Sequence, residues 1–310
     1  MKILVTGGAG YLGSVLCEYL LDSSYQVTVI DNLLYKQKSL FHLCADTNFD
    51  FVFGDVRDEQ LMRKLMKNVD VIIPLAAIVG APACDQDPML ATSVNLDAVK
   101  LINKIRSKDQ WVIYPTTNSG YGTKSGDVFC TEETPLEPHT LYGKTKADAE
   151  SELLGSDNVI SLRLTTVFGM SARMRLDSLV NHFVYLALRD GYIVIFERDF
   201  KRNFVYIRDV AECFLHSIQN FEKMKGKPYN VGLDSSNVSK EELALKIKKY
   251  IPNFYIQFAE IESDPDKRNY VISNQRLRDA GFEAKHSLDE GIKELIKGYQ
   301  IIKLDEYSNL

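Results

Sequence analysis

The sequence predicts an α/β protein: a doubly wound parallel sheet joined to a smaller, mixed α/β lobe. Three observations predict it. The first half alternates short β-branched runs with longer helical patterns, as successive βαβ units demand. The run Val71-Ile72-Ile73 is apolar without interruption, which suits a strand covered on both faces. A glycine-rich turn, Thr6-Gly7-Gly8-Ala9-Gly10-Tyr11-Leu12-Gly13, lies between the first expected strand and the first expected helix.

Strands are expected at Lys2 to Thr6, Gln26 to Ile30, Phe49 to Phe53, Val69 to Ile73, Trp111 to Pro115 and Val159 to Leu164. Helices are expected at about Tyr11 to Asp22, Asp58 to Lys67, Asp85 to Ser107 and Pro138 to Leu154. Beyond Thr165 the alternation loosens into longer helices, short strands and polar loops. The expected division places residues 1–165 and 193–232 in a dinucleotide-binding domain and residues 166–192 and 233–310 in a second lobe. No Gly/Ser-rich linker separates them, so the two should pack together rather than hang on a tether.

Composition narrows the classes of function. The chain has 310 residues, 45% hydrophobic and 25% charged, which is ordinary for a globular protein with a substantial core. A net charge of -5 supplies no concentrated positive field for nucleic acid or an anionic membrane. The longest mainly apolar run, Val71 to Ala83, contains two prolines and falls well short of the roughly 20 residues that cross a bilayer. The start, Met1-Lys2-Ile3-Leu4-Val5, runs straight into a strand without the regions of a signal peptide, and a cytoplasmic protein is expected. Five scattered cysteines with no CxxC pair read as reduced thiols, and the five histidines show no metal-ligand spacing.

The glycine turn is informative because of where it lies. Gly7, Gly10 and Gly13 satisfy GxxGxxG, and a tight turn of this kind lets the backbone approach a pyrophosphate at the positive end of a helix. Asp31 ends the second strand 18 residues after Gly13, where its carboxylate can accept from ribose hydroxyls and would repel the extra phosphate of NADP. The expected cofactor is therefore NAD, on a Rossmann sheet. Asp55-Val56 follows the third strand, from where Asp55 could meet the adenine or cap the next helix.

A second constellation bears on the chemistry. Thr116-Thr117-Asn118-Ser119-Gly120-Tyr121-Gly122 follows the fifth strand, and Tyr142-Gly143-Lys144-Thr145-Lys146 lies on an expected helix. A spacing of four puts Tyr142 and Lys146 on one helical face. A tyrosine is a poor base at neutral pH, but an adjacent ammonium stabilises its phenolate, which makes Tyr142 a candidate general acid/base.

With Leu75-Ala76-Ala77, Asn95, Arg163 to Gly169, Arg202 to Asp209 and Tyr229-Asn230-Val231-Gly232, these motifs resemble the extended short-chain dehydrogenase/reductases of the sugar-nucleotide epimerase and dehydratase group, nearly end to end. The resemblance implies an NAD-dependent enzyme acting on a nucleotide-sugar, and a homodimer by analogy. It implies catalytic roles for Thr117, Tyr142 and Lys146. Tyr142 removes a proton from a sugar hydroxyl that Thr117 also contacts, Lys146 binds the nicotinamide ribose, and hydride leaves the sugar carbon, most often C4. Cofactor contacts are implied at Gly7, Gly10, Tyr11, Leu12, Gly13, Asp31, Asn32, Asp55, Val56, Leu75, Ala76, Ala77 and Asn95, besides Tyr142 and Lys146.

Departures from the group's pattern shape the expected reaction. Its 4,6-dehydratases place an Asp-Glu pair after the catalytic Thr, whereas this chain has Asn118 and Ser119, which disfavours dehydration. The 3,5-epimerases place a Cys where Ser119 stands. A C4 epimerase and a 4-dehydrogenase remain, and the segment from Thr116 to Gly122 with Arg173-Met174-Arg175 looks more like the nucleotide-heptose 4-dehydrogenases. Substrate contacts are expected from Asn118, Ser119, Thr166, Arg173, Arg175, Arg202 and Arg268, with Arg forks suited to a diphosphate. Asn203 replaces the usual Asp after Arg202, Thr166 stands where many relatives carry Asn, and Met170 replaces the usual Pro after Gly169, so the sugar pocket should be nonstandard. A cofactor-sensing regulator without turnover is the alternative from another class. The presence of Thr117, Tyr142 and Lys146 together weighs against it.

Overall fold

A computed structural model describes residues 1–122, 129–259 and 270–302. Its main sheet is wholly parallel, with seven strands among the described residues: β1 (Lys2–Thr6), β2 (Gln26–Asp31), β3 (Phe49–Phe53), β4 (Val71–Pro74), β5 (Trp111–Thr117), then, after the short β6 (Phe129–Cys130), β7 (Val159–Leu164). Three more short strands follow, β8 (Thr166–Phe168), β9 (Tyr192–Phe196) and β10 (Lys201–Tyr206), before β11 (Lys227–Val231) completes the main sheet in the order β11-β7-β5-β4-β1-β2-β3. The order reverses between β1 and β4. Ligand crevices of open α/β sheets lie at such a point, beyond the carboxyl ends of the strands.

Each face of the sheet has its own apolar layer. Ile3, Val5 and Val29 point to a cluster shared with α1 (Tyr11–Asp22), while Leu4, Ile30 and Ile72 point to the opposite cluster. The helix expected at Asp85 to Ser107 is broken into α3 (Ala81–Gln86), α4 (Pro88–Thr92), a π turn (Ser93–Asp97) and α5 (Ala98–Ile105), after the intervening α2 (Glu59–Met66). The break has a local cause. Asp87 adopts φ -140 and caps α4 by accepting from the Leu90 N–H, and Pro88 opens the new helix where its missing N–H costs nothing. The next helix, α6 (Leu141–Leu154), starts later than expected because Thr140 accepts the Gly143 N–H and fixes the N-cap there.

The second lobe holds β8, β10 and β12 (Asn237–Ser239) in one small sheet, and β9 with β13 (Tyr255–Ala259) in another. The strands of the segment 193–232 pair in three different sheets. β9 and β10 pair with lobe strands, whereas β11 edges the main sheet. Residues of both parts, from Ile3 and Val15 to Phe254 and Ile292, belong to one continuous apolar cluster.

Candidate active site

The carboxyl ends of β1, β2, β4 and β5 open onto a cavity of about 590 Å³ lined by both lobes. At one end lies the glycine turn. Gly7 has φ +68, and a Cβ there would come within 2.6 Å of the Ala76 backbone; a Cβ on Gly13 would strike the Gly8 Cα at the same distance. The turn therefore packs backbone on backbone, as close approach to a ligand requires. Gly10 is the N-cap of α1 and supplies no side-chain cap, so the first-turn N–H groups stay available to an anion. The Ala76 N–H donates to the Thr6 hydroxyl at 3.2 Å, which ties the Leu75-Ala76-Ala77 wall to β1.

Asp31 is buried at the tip of β2. Its carboxylate accepts from the Ala9 N–H at 3.0 Å and the Leu33 N–H at 2.8 Å, with the Gln37 amide at 3.3 Å. Burial pushes its pKa up, and the two backbone donors hold it back. Asn32 lies beside it on the cavity wall and accepts from the Leu34 N–H. Asp58, and not Asp55, caps α2, accepting from Gln60 and Leu61. Asp55 lines the cavity with Val56 and is gripped by Arg57, whose hydrogen bonds draw its carboxyl below the usual range.

Thr117, Tyr142 and Lys146 line the same cavity. Thr117 ends β5 and accepts from the Ser119 N–H at 3.1 Å while donating to the Ser119 hydroxyl at 3.0 Å. Lys146 is 4% exposed, with its Nζ 4.0 Å from the centroid of the Tyr114 ring. Burial draws its pKa down to about 7, against the pull of Glu150 one turn further on. Glu150 in turn forms a buried pair with Arg163 on β7 at 2.6 Å and accepts from Ser161, so α6 is fixed to the sheet beneath the two residues it presents. Arg163 also donates to the Tyr121 hydroxyl at 2.9 Å, and that hydroxyl donates to Asn230 at 2.8 Å.

The remaining expected residues divide. Gly7, Gly10, Tyr11, Leu12, Gly13, Leu75, Ala76, Ala77, Ser119, Thr166, Arg173, Arg175 and Arg202 line the cavity. Asn95 does not. Turned inward by the π turn, it clamps both backbone groups of Ile78 at 2.8 and 3.0 Å and bonds Thr145, so it braces the wall from behind. Asn118 is 1% exposed and likewise absent from the wall, and its amide has no partner among the described residues. Arg268 lies outside the described residues. Residues not foreseen from the sequence include Tyr35 and Gln37 on the cavity wall with Asp31, Tyr114 under Lys146, and Asn181, which reaches the Tyr11 hydroxyl at 3.2 Å. Glu150, also not foreseen, did carry a readable signal, at the i+4 position from Lys146. Among the described residues no cluster could hold a metal ion, and no helix is long and apolar enough to cross a membrane.

A parallel sheet with a glycine turn, a strand-end carboxylate and a Tyr-Lys helix on one cavity defines a dinucleotide-dependent enzyme of the Rossmann type. The chain belongs to the NAD dependent epimerase/dehydratase family, whose model matches residues 3–232. It is 32% identical over 265 residues to the uncharacterized UDP-glucose epimerase YtcB of Bacillus subtilis, covering 80% of this chain and 79% of that protein. It is 27% identical over 310 residues to the low-salt glycan biosynthesis protein Agl12 of Haloferax volcanii, covering 96% and 98% of the two chains. Among solved structures, UDP-glucuronic acid 4-epimerase from Bacillus cereus, in complex with UDP-glucuronic acid and NAD, superposes with a TM-score of 0.84 at 25% identity, over 97% of this chain and 100% of that one. NAD is the cofactor of this family, and the groups lining the cavity fit it: a turn in which Gly7 and Gly13 leave no room for a Cβ, an uncapped helix end and a buried carboxylate.

Proposed function

We propose that the protein oxidises the sugar of a nucleotide-activated sugar by removing hydride, at C4, as a 4-dehydrogenase or as a 4-epimerase that returns the hydride to the opposite face. The observation that carries this reading is that Thr117, Tyr142 and Lys146 share one cavity with the glycine turn and Asp31. NAD bound along that cavity supplies the hydride acceptor. Tyr142 takes the proton of the reacting hydroxyl, and the Thr117 hydroxyl positions that oxygen. Lys146, with a pKa near 7, holds its proton most firmly when a negative charge lies close by; a phenolate on Tyr142 one turn away provides such a charge, so each stabilises the other's ionised form. Arg202, buried on the cavity wall, is suited to a substrate phosphate, and Thr166 and Ser119 to sugar hydroxyls.

The family also contains dehydratases, and 4,6-dehydration of the same substrate class is the second reading. Asn118 behind the wall and Ser119 bonded to Thr117 do not supply the acid and base that dehydration needs, which supports redox or epimerisation instead.

The test incubates the protein with GDP-, UDP-, CDP- and dTDP-sugars, with and without a 2-oxoacid, and identifies products by mass and NMR. A keto product that depends on the oxoacid indicates a dehydrogenase, an isobaric isomer formed without it an epimerase, and loss of water a dehydratase. Tyr142→Phe should lower turnover by about 10²–10⁴-fold. Unchanged turnover would remove Tyr142 from its role.

A further inference from the structure

The segment from Gly169 to Ser178, which follows β8, lies across the first turn of α1. The Tyr11 hydroxyl donates to the Gly169 carbonyl at 2.8 Å, Ser171 Oγ donates to the Tyr11 carbonyl at 2.7 Å, and the Ser14 and Ser171 hydroxyls are 2.8 Å apart. Asn181 binds this strap from behind, donating to the Tyr11 hydroxyl at 3.2 Å and the Arg175 carbonyl at 2.9 Å while accepting the Gly169 N–H. The strap is thus built onto the helix end that the glycine turn exposes.

What it brings there is charge. Arg173 is buried and stacks on the Tyr35 ring at 4.9 Å, on the cavity wall shared with Asn32, Leu34 and Gln37. Arg175 extends the other way. A Cβ on Gly80 would be 3.9 Å from its Nη2, and it lies within electrostatic reach of both Tyr11 and Tyr142. Asp177 holds its Nε and Nη2, at 3.2 and 2.5 Å, which leaves Nη1 as the donor edge. The two arginines therefore bracket the stretch of cavity between the carboxylate suited to the adenosine ribose and the tyrosine suited to the reacting end. In a dinucleotide, the group that spans those two points is the pyrophosphate.

We propose that the strap is a pyrophosphate clamp: Arg173 and Arg175, delivered by the second lobe onto the N-terminus of α1, are ligands of the cofactor and not of the substrate. This reassigns two residues expected at the nucleotide-sugar and leaves Arg202 as the described cavity arginine suited to the substrate's own phosphates. With Asp177 included, the strap presents two positive charges and one negative, a net gain of one positive charge beside N–H groups already polarised toward an anion.

The test rests on NAD occupying this cavity and uses the full chain titrated with ADP-ribose, adenosine and UDP. Arg173→Gln and Arg175→Gln together should weaken ADP-ribose at least tenfold and flatten the salt dependence of its binding, with adenosine and UDP unaffected. Arg175→Lys should recover part of the loss. Weakened UDP binding with ADP-ribose intact would assign the arginines to the substrate and overturn the clamp, as would unchanged ADP-ribose affinity. Loss of adenosine binding in the glutamine variants would make the strap merely structural, and it too would overturn the clamp. If the unsubstituted chain bound no ADP-ribose, the cofactor site itself would fall, a result separable from all of these.

Discussion

Lys146 is an ionisable group held out of water above an aromatic face. The Tyr114 ring and Glu150 favour its charged form, but burial outweighs them and brings its pKa from the ordinary 10.5 of a lysine down to about 7. The sign of the stability effect follows. Between about 7 and 10.5 the unfolded chain binds the proton that the folded chain has released, so stability rises with pH through this window and the full penalty applies below it. Lys146→Met should therefore raise the midpoint of thermal unfolding, and by more at pH 6 than at pH 9. An equal gain at both values would show that the lysine is not desolvated as described.

At the scale of elements, α6 presents Tyr142 and Lys146 to the cavity while Glu150 and Arg163 fasten it to β7 with side chains 3% and 7% exposed. Removing one partner of a buried pair leaves a charge uncompensated. Glu150→Ala should cost about 3–5 kcal/mol in denaturant unfolding, and adding Arg163→Met should restore much of it. A loss below about 1 kcal/mol would mean that the pair does not fasten the helix. Six of the seven strands of the main sheet were readable because their apolar runs stand out, and α1 because the glycine turn announces it, whereas β11, with Pro228 inside it, was not among the expected strands. The π turn was not readable: Val94 and Asn95 fit a continuous helix equally well, and only the packing of Asn95 on Ile78 and Thr145 selects the wider turn. β6, β8 and β12 escaped for a different reason, since they have two, three and three residues, too few to show a period.

For the whole molecule, the continuous apolar cluster that joins the sheet to the second lobe predicts cooperative behaviour. Calorimetry should show one unfolding transition, moved upward by NAD in proportion to the logarithm of its concentration at saturation. Two transitions, only one of them responsive to NAD, would show that the lobes unfold separately. The same long-range packing explains which parts of the site were hidden in the sequence. Gly7 to Gly13, Asp31, Tyr142 and Lys146 announce themselves through local spacing at the ends of elements, and Thr117 through the family resemblance of its segment. Tyr35, Asn181 and Ser171 acquire their places only when distant segments meet.

The bonds that seat Tyr11 also set a timetable for synthesis. Its hydroxyl must find Gly169, 158 residues further along, and Asn181, 170 residues further along. A nascent chain emerging from the ribosome exposes the glycine turn 158 residues ahead of the segment that covers it. The turn is thus made well before it is completed, and a fragment that stops before residue 169 has the recognition motif without its roof.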